Sequence, residues 1–164
     1  MGYSASAWTD FAVAVAGAAA ALSGLLFVAV SINLSRILAF PNLPARAGQT
    51  LIMLTTPLVV ALLVLIPDQR RDVLGVELLV GAALLVPALA WLNRPSTRSV
   101  EENRVSYAAS RIVPAVLVVG FLATAGISLL AMAGGGLYWI APAVVIAIVA
   151  GLGNAWVLLV EIQR

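Results

Sequence analysis

Asn154 and Glu161 lie seven residues apart in GLGNAWVLLVEIQR (151 to 164), an amide and a carboxylate in a stretch otherwise suited to hydrocarbon. That spacing puts both on roughly one face of a helix. From there Glu161 can meet Arg36, Arg46 or Arg111, and Asn154 can bond to Asn33 on another helix. The chemistry of such a set is a polar clasp between helices, with Asn33, Arg36, Asn154 and Glu161 as its candidate members. Glu77 is a second acid inside an apolar run. With the hydroxyls of Ser23 and Thr124 it forms the candidate lining of a solute path.

Other chemistries are excluded by residue type. The chain has no His and no Cys, and all nine basic residues are Arg. Histidine bases, thiolate nucleophiles, His or Cys metal sites, Walker A lysines and Schiff bases are therefore unavailable. No cofactor site and no enzyme is expected. The arginines form no basic stripe with interleaved aromatics, so nucleic acid is not an expected partner either.

The elements that must carry these residues are read from composition. Of 164 residues, 63% are hydrophobic and 10% charged, where a soluble domain carries about 25% charged residues. Crossing ~30 Å of hydrocarbon takes ~20 apolar residues in a helix. Five runs qualify. The expected fold is an all-α integral membrane bundle in one domain, with transmembrane helices over about 9–35, 47–66, 74–92, 108–133 and 137–162. The first run is read as a mature helix because no basic residue precedes it, as a signal peptide would require.

Five spans put the termini on opposite sides. One set of connections holds Arg70 and Arg71; the other holds Arg36, Arg46, Arg94, Arg98, Arg104, Arg111 and Arg164. The excess of arginine predicts the N-terminus outside and the C-terminus in the cytoplasm. Trp8, Tyr138 and Trp139 then fall at the outer boundary and Trp91, Tyr107 and Trp156 at the inner one, where aromatic belts sit. Counted from Leu137, Asn154 is ~26 Å along the last helix and Glu161 ~36 Å, which places the clasp at the inner edge.

Small residues recur every fourth position in the first span, Ala16, Ala20 and Gly24, and in the last, Ala143, Ala147, Gly151 and Ala155. This spacing lets backbones approach closely. "SVEE" (99 to 102) has the form of a capping box, with Ser99 capping and Glu102 reaching back. It predicts that helix four starts near 99 and extends into the cytoplasm. "GGG" at 134 to 136 is read as a tight turn, and Pro57, Pro87, Pro114 and Pro142 as sites where a helix loses one hydrogen bond.

"AGAAAALSGLLFVAVSINLSRIL" (16 to 38) together with "NAWVLLVEI" (154 to 162) resembles a group of small multi-span membrane proteins from actinobacteria and other bacteria, some labelled membrane-protease modulators. The resemblance implies a bacterial inner membrane. "ALSGLLFVAV" (21 to 30) is also similar to the pore helix of store-operated calcium channels, but Ile32 stands where those carry the filter glutamate, so calcium selectivity is not carried over. The functional expectation is a non-enzymatic protein acting through helix-helix association. It would be an accessory subunit of a membrane complex or a homo-oligomer, in contact with membrane lipids. The alternative is a homo-oligomeric channel for ions or small solutes.

Overall fold

The computed structural model describes residues 2–94 and 104–163, and every regular element among them is helical. A 3-10 turn over Ala5–Trp8 leads into α1 (Thr9–Ile32). A short α2 (Leu34–Ala39) and α3 (Leu43–Val64) follow, then α4 (Arg71–Leu92). α5 (Arg104–Tyr107) runs through a π-helical turn, Ala108–Ile112, into α6 (Val113–Ala131). A second 3-10 turn, Gly136–Trp139, opens α7 (Ile140–Gln163).

Five stretches are long and apolar enough to cross a membrane: Ala5–Ile32, Leu43–Val64, Arg71–Leu92, Val105–Ala131 and Gly136–Glu161. The second span starts four residues earlier than the sequence reading, and the first ends three residues earlier, for a local reason. Asn33 closes α1, its side-chain Nδ2 donating to the Ala29 carbonyl at 2.9 Å. An asparagine that satisfies a backbone carbonyl in this way competes with the helix ladder. The chain therefore starts a separate helix at Leu34. The capping box at Ser99 and Glu102, and the start of helix four near 99, lie outside the described residues.

α3, α4, α6 and α7 form a closed cycle, and α1 leans on α3 from outside it. Met53, Val60, Val118, Leu122, Ala125, Leu129, Val144 and Ala147 fill the interior of the cycle. α3 is the hub, with 50% of its membrane-length window buried against 22% for α1. α4 is held mainly by α6, where a Cβ on Gly126 would come within 2.7 Å of the Gly75 carbonyl oxygen. The two backbones touch at that crossing. Contact between α3 and α4 is much thinner although they are consecutive, and a groove of about 310 Å³ opens between them.

The two stripes of small residues have different fates. In α7, Ala143, Ala147 and Gly151 are buried, and a Cβ on Gly151 would press to 2.6 Å from the Leu54 side chain of α3. Ala155, half-buried, packs beside the same helix in the cluster around Leu54 and Leu158. In α1 the buried face is instead Ala12, Val15, Ala19, Ser23 and Leu26. Ala16 is half-buried, while Ala20 and Gly24 point outward with nothing near Gly24. Since α1 is apolar all round, the four-residue spacing alone did not reveal which face meets α3.

At the end of the bundle that holds the N-terminus, Gly134, Gly135 and Gly136 all have positive φ (83°, 106° and 61°). That conformation costs glycine nothing and other residues about 1–2 kcal/mol. Ser128 Oγ accepts the Gly136 N–H at 2.7 Å and donates to the Ala133 carbonyl. The N-terminal tail closes over this turn: Leu137 N–H donates to Gly2 O at 2.7 Å, and Gly135 N–H to the Tyr3 hydroxyl at 3.0 Å.

Candidate functional site

The opposite end of the bundle gathers its buried polar side chains. Arg46, Gln49 and Thr50 come from the first two turns of α3, Tyr107 and Arg111 from α5 and the π turn, and Asn154 and Glu161 from α7. Arg111 and Gln49 are each 1% exposed, Asn154 3% and Arg46 5%. Groups of this kind are stable in an apolar interior only when hydrogen-bonded.

The π turn explains the geometry. Val113 N–H reaches back five residues to Ala108 O, and Pro114, next in the chain, has no N–H. In a regular α-helix the residue at 114 would donate to the Ser110 carbonyl. That carbonyl is taken instead by Asn154 Nδ2 of α7, at 3.3 Å. The Arg111 carbonyl is also bonded from outside its helix, by Gln49 Nε2 at 2.8 Å. Gln49 Oε1 in turn accepts from Arg111 Nε at 2.7 Å, and the guanidinium lies over the Tyr107 ring, 5.1 Å from its centroid. One proline and one glutamine thus tie α3 and α7 to the entry of α6.

Glu161 closes the site at the helix ends. Its Oε1 accepts from Arg46 Nη1 at 3.0 Å, joining the last turn of α7 to the first of α3. Arg46 is buried, but the Glu161 side chain is 32% exposed. A pair partly open to solvent is worth less than a fully enclosed one. Thr50 returns its hydroxyl hydrogen to the Arg46 carbonyl at 2.8 Å, so its one donor is used within α3.

Asn154 and Glu161 therefore belong to one polar layer, but Asn33 and Arg36 are not joined to them by any of these bonds. Asn33 is spent on its own helix, and Arg36 sits exposed on α2. The asparagine partner is a main-chain carbonyl, which no pattern of side chains announces. Gln49, absent from the expected clasp, had one signal: it is the single amide in the expected span 47–66, which carries no charge. Tyr107, read as part of an aromatic belt, is buried beneath Arg111.

The candidate pore residues do not converge. Ser23 is buried on the α1 face that meets α3. Thr124 is exposed on α6 and donates to Gly120 O of its own helix at 2.8 Å. Glu77 lines the groove between α3 and α4, where its Oε2 accepts from Gln69 Nε2. Among the described residues no three His, Cys, Asp or Glu side chains gather as a metal site would need. Compared with protein-family models, with curated proteins and with solved structures, the chain matches none.

Proposed function

We propose that this is a non-enzymatic protein of a bacterial inner membrane that acts through helix-helix association, with its N-terminus outside and its C-terminus in the cytoplasm. The observation that carries this reading is the outward face of α1. Ala14, Gly17, Ala18, Ala21 and Gly24 form an exposed strip along it, and a Cβ on Gly17 or Gly24 would meet nothing within 4 Å. In hydrocarbon, where lipid tails are as apolar as a leucine, such a smooth surface gains contact from a second close-packed helix. The partner helix is a second copy of α1 in a homo-oligomer or a helix of a larger complex.

The filled interior of the four-helix cycle argues against conduction through one subunit. Val60, Val118, Leu122 and Leu129 are buried in one continuous apolar cluster there. A channel would have to run between subunits.

The absence of cysteine makes the test direct. Gly17→Cys or Ala21→Cys is expected to give disulfide-linked dimers on mild oxidation in the membrane. Val149→Cys, on the exposed side of α7, serves as control and is expected to give none. Gly17→Leu with Gly24→Leu is expected to remove the association and leave thermal stability unchanged, because both sites are open. A strictly monomeric protein in mild detergent that co-purifies with nothing would sink the proposal.

A further inference from the structure

A carboxylate in an apolar span is costly unless it has a task or a partner, and Glu77 has a partner that occupies only one of its two oxygens. It stands six residues into α4, ~9 Å along the axis. Gln69, from the turn before α4, donates its Nε2 to Glu77 Oε2, while its own Oε1 is buried without a hydrogen-bond partner. Gln69 itself lines a neighbouring cavity with Asp68 and Arg71 and its oxygen is enclosed, so the acceptor left to the groove is the second oxygen of Glu77.

Below them runs the groove of about 310 Å³ between α3 and α4. Glu77 and Leu63 mark one end, and Ala88 and Ile52 the other. From Glu77 to Ala88 is ~16 Å along α4. The hydroxyls of Thr55 and Thr56 are turned back to carbonyls of their own helix, Leu51 and Ile52, so the wall they form is effectively apolar. Gly81 opens the middle of the groove, since a Cβ there would meet nothing within 4 Å. Two other lateral grooves, one between α4 and α6 and one between α1 and α7, carry no ionisable group in their walls.

We propose that the α3–α4 groove binds a protonated primary amine on a linear alkyl chain, with the ammonium at Glu77 and the chain along the groove. Charge complementarity selects the head: an ammonium is a charged N–H donor, and Glu77 is the one ionisable group among the described residues that line the groove. Groove length selects the tail. With C–C bonds of ~1.5 Å an extended chain advances ~1.25 Å per methylene, so about twelve carbons span it. The tail gains little by leaving lipid of equal polarity. Discrimination therefore rests on the head group, which separates this site from a groove merely filled by bilayer lipid. The proposal does not depend on self-association through α1.

The test uses the full chain in phosphatidylcholine vesicles and three photoactivatable twelve-carbon probes with a mid-chain diazirine, differing only in head: amine, alcohol and carboxylic acid. After irradiation, labelled peptides are mapped. The amine is expected to label 52–63 and 77–88 about tenfold more than the alcohol at equal membrane concentration, a difference of ~1.4 kcal/mol. Unlabelled dodecylamine, and not dodecanol, should compete. Glu77→Gln is expected to abolish the preference for the amine, and Gly81→Leu to block labelling by filling the groove. Equal labelling by all three heads, or a preference that survives Glu77→Gln, overturns the proposal. If Glu77→Gln does not fold, head-group competition and Gly81→Leu still decide.

Discussion

Pro114 removes one backbone donor from the entry of α6, and Asn154 supplies a replacement from α7. This makes the two residues energetically dependent on each other. Asn154→Leu would leave the Ser110 carbonyl unpaired in an apolar interior, at a cost of about 1–3 kcal/mol. Pro114→Ala restores an N–H at the position that an α-helix would use. In that background Asn154→Leu is expected to cost at least ~1 kcal/mol less, and a double-mutant cycle from thermal unfolding of the four proteins reads the coupling. Additive effects would show that the asparagine contributes only packing. Glu161→Gln is expected to cost under ~1 kcal/mol, because the pair with Arg46 is partly open to solvent. Raising salt should weaken the native pair and leave the variant unaffected. The sequence made a polar layer at this depth legible, since an amide and a carboxylate seven residues apart in an apolar helix must face something polar. It named Arg46 only as one of three arginines within reach of Glu161, since the choice depends on where α3 begins, and it could not name the Ser110 carbonyl, freed by a proline on another helix.

Helix existence and length were readable, because hydrocarbon thickness sets a minimum run that few soluble segments satisfy. Faces and neighbours were not. An amphipathic helix advertises its buried side, whereas α1, and α4 beyond Glu77, are apolar all round and their faces differ mainly in residue size. Size becomes informative where backbones touch, and Gly75 against Gly126 is such a place although neither belongs to a four-residue stripe of small residues. Gly126→Ala would drive a methyl into the Gly75 carbonyl and Leu79. We expect a loss of about 1–3 kcal/mol, the usual cost of overpacking. Gly120, on the same helix with open space around it, should respond in the opposite sense. Gly120→Ala is expected to gain up to ~1 kcal/mol through helix propensity. Thermal melts of the two variants in one detergent compare them directly. Destabilisation of equal size would mean that α6 tolerates alanine poorly for a reason unrelated to the crossing.

At the scale of the molecule, the two ends of the bundle differ in charge and in how that charge is used. The end holding the N-terminus carries Asp10, Asp68, Asp72 and Glu77 with Arg70 and Arg71. Arg70 is committed to Asp72 through two bonds, at 3.1 and 2.7 Å. At the other end Arg46 and Arg111 are drawn into the protein, so they hold helices together rather than meeting lipid heads. The charge that can act on orientation is therefore smaller than the raw excess of arginine. Arg36 and Arg94 still belong to that end, Arg94 over the exposed ring of Trp91, as do Arg98, Arg104 and Arg164 by sequence. That remaining bias is what the proposed orientation rests on. It is tested with single cysteines in intact bacterial cells, the chain having none of its own. A membrane-impermeant thiol reagent is expected to label Ser6→Cys, exposed beside the start of α1, without lysis. Ser35→Cys, exposed on α2 at the other end, should react only after the cells are opened. The reverse pattern would place the polar layer of Arg46, Arg111 and Glu161 on the outside. Labelling of both sites in intact cells would mean that the chain inserts in two orientations, with arginines buried as helix ties leaving too little charge to fix one.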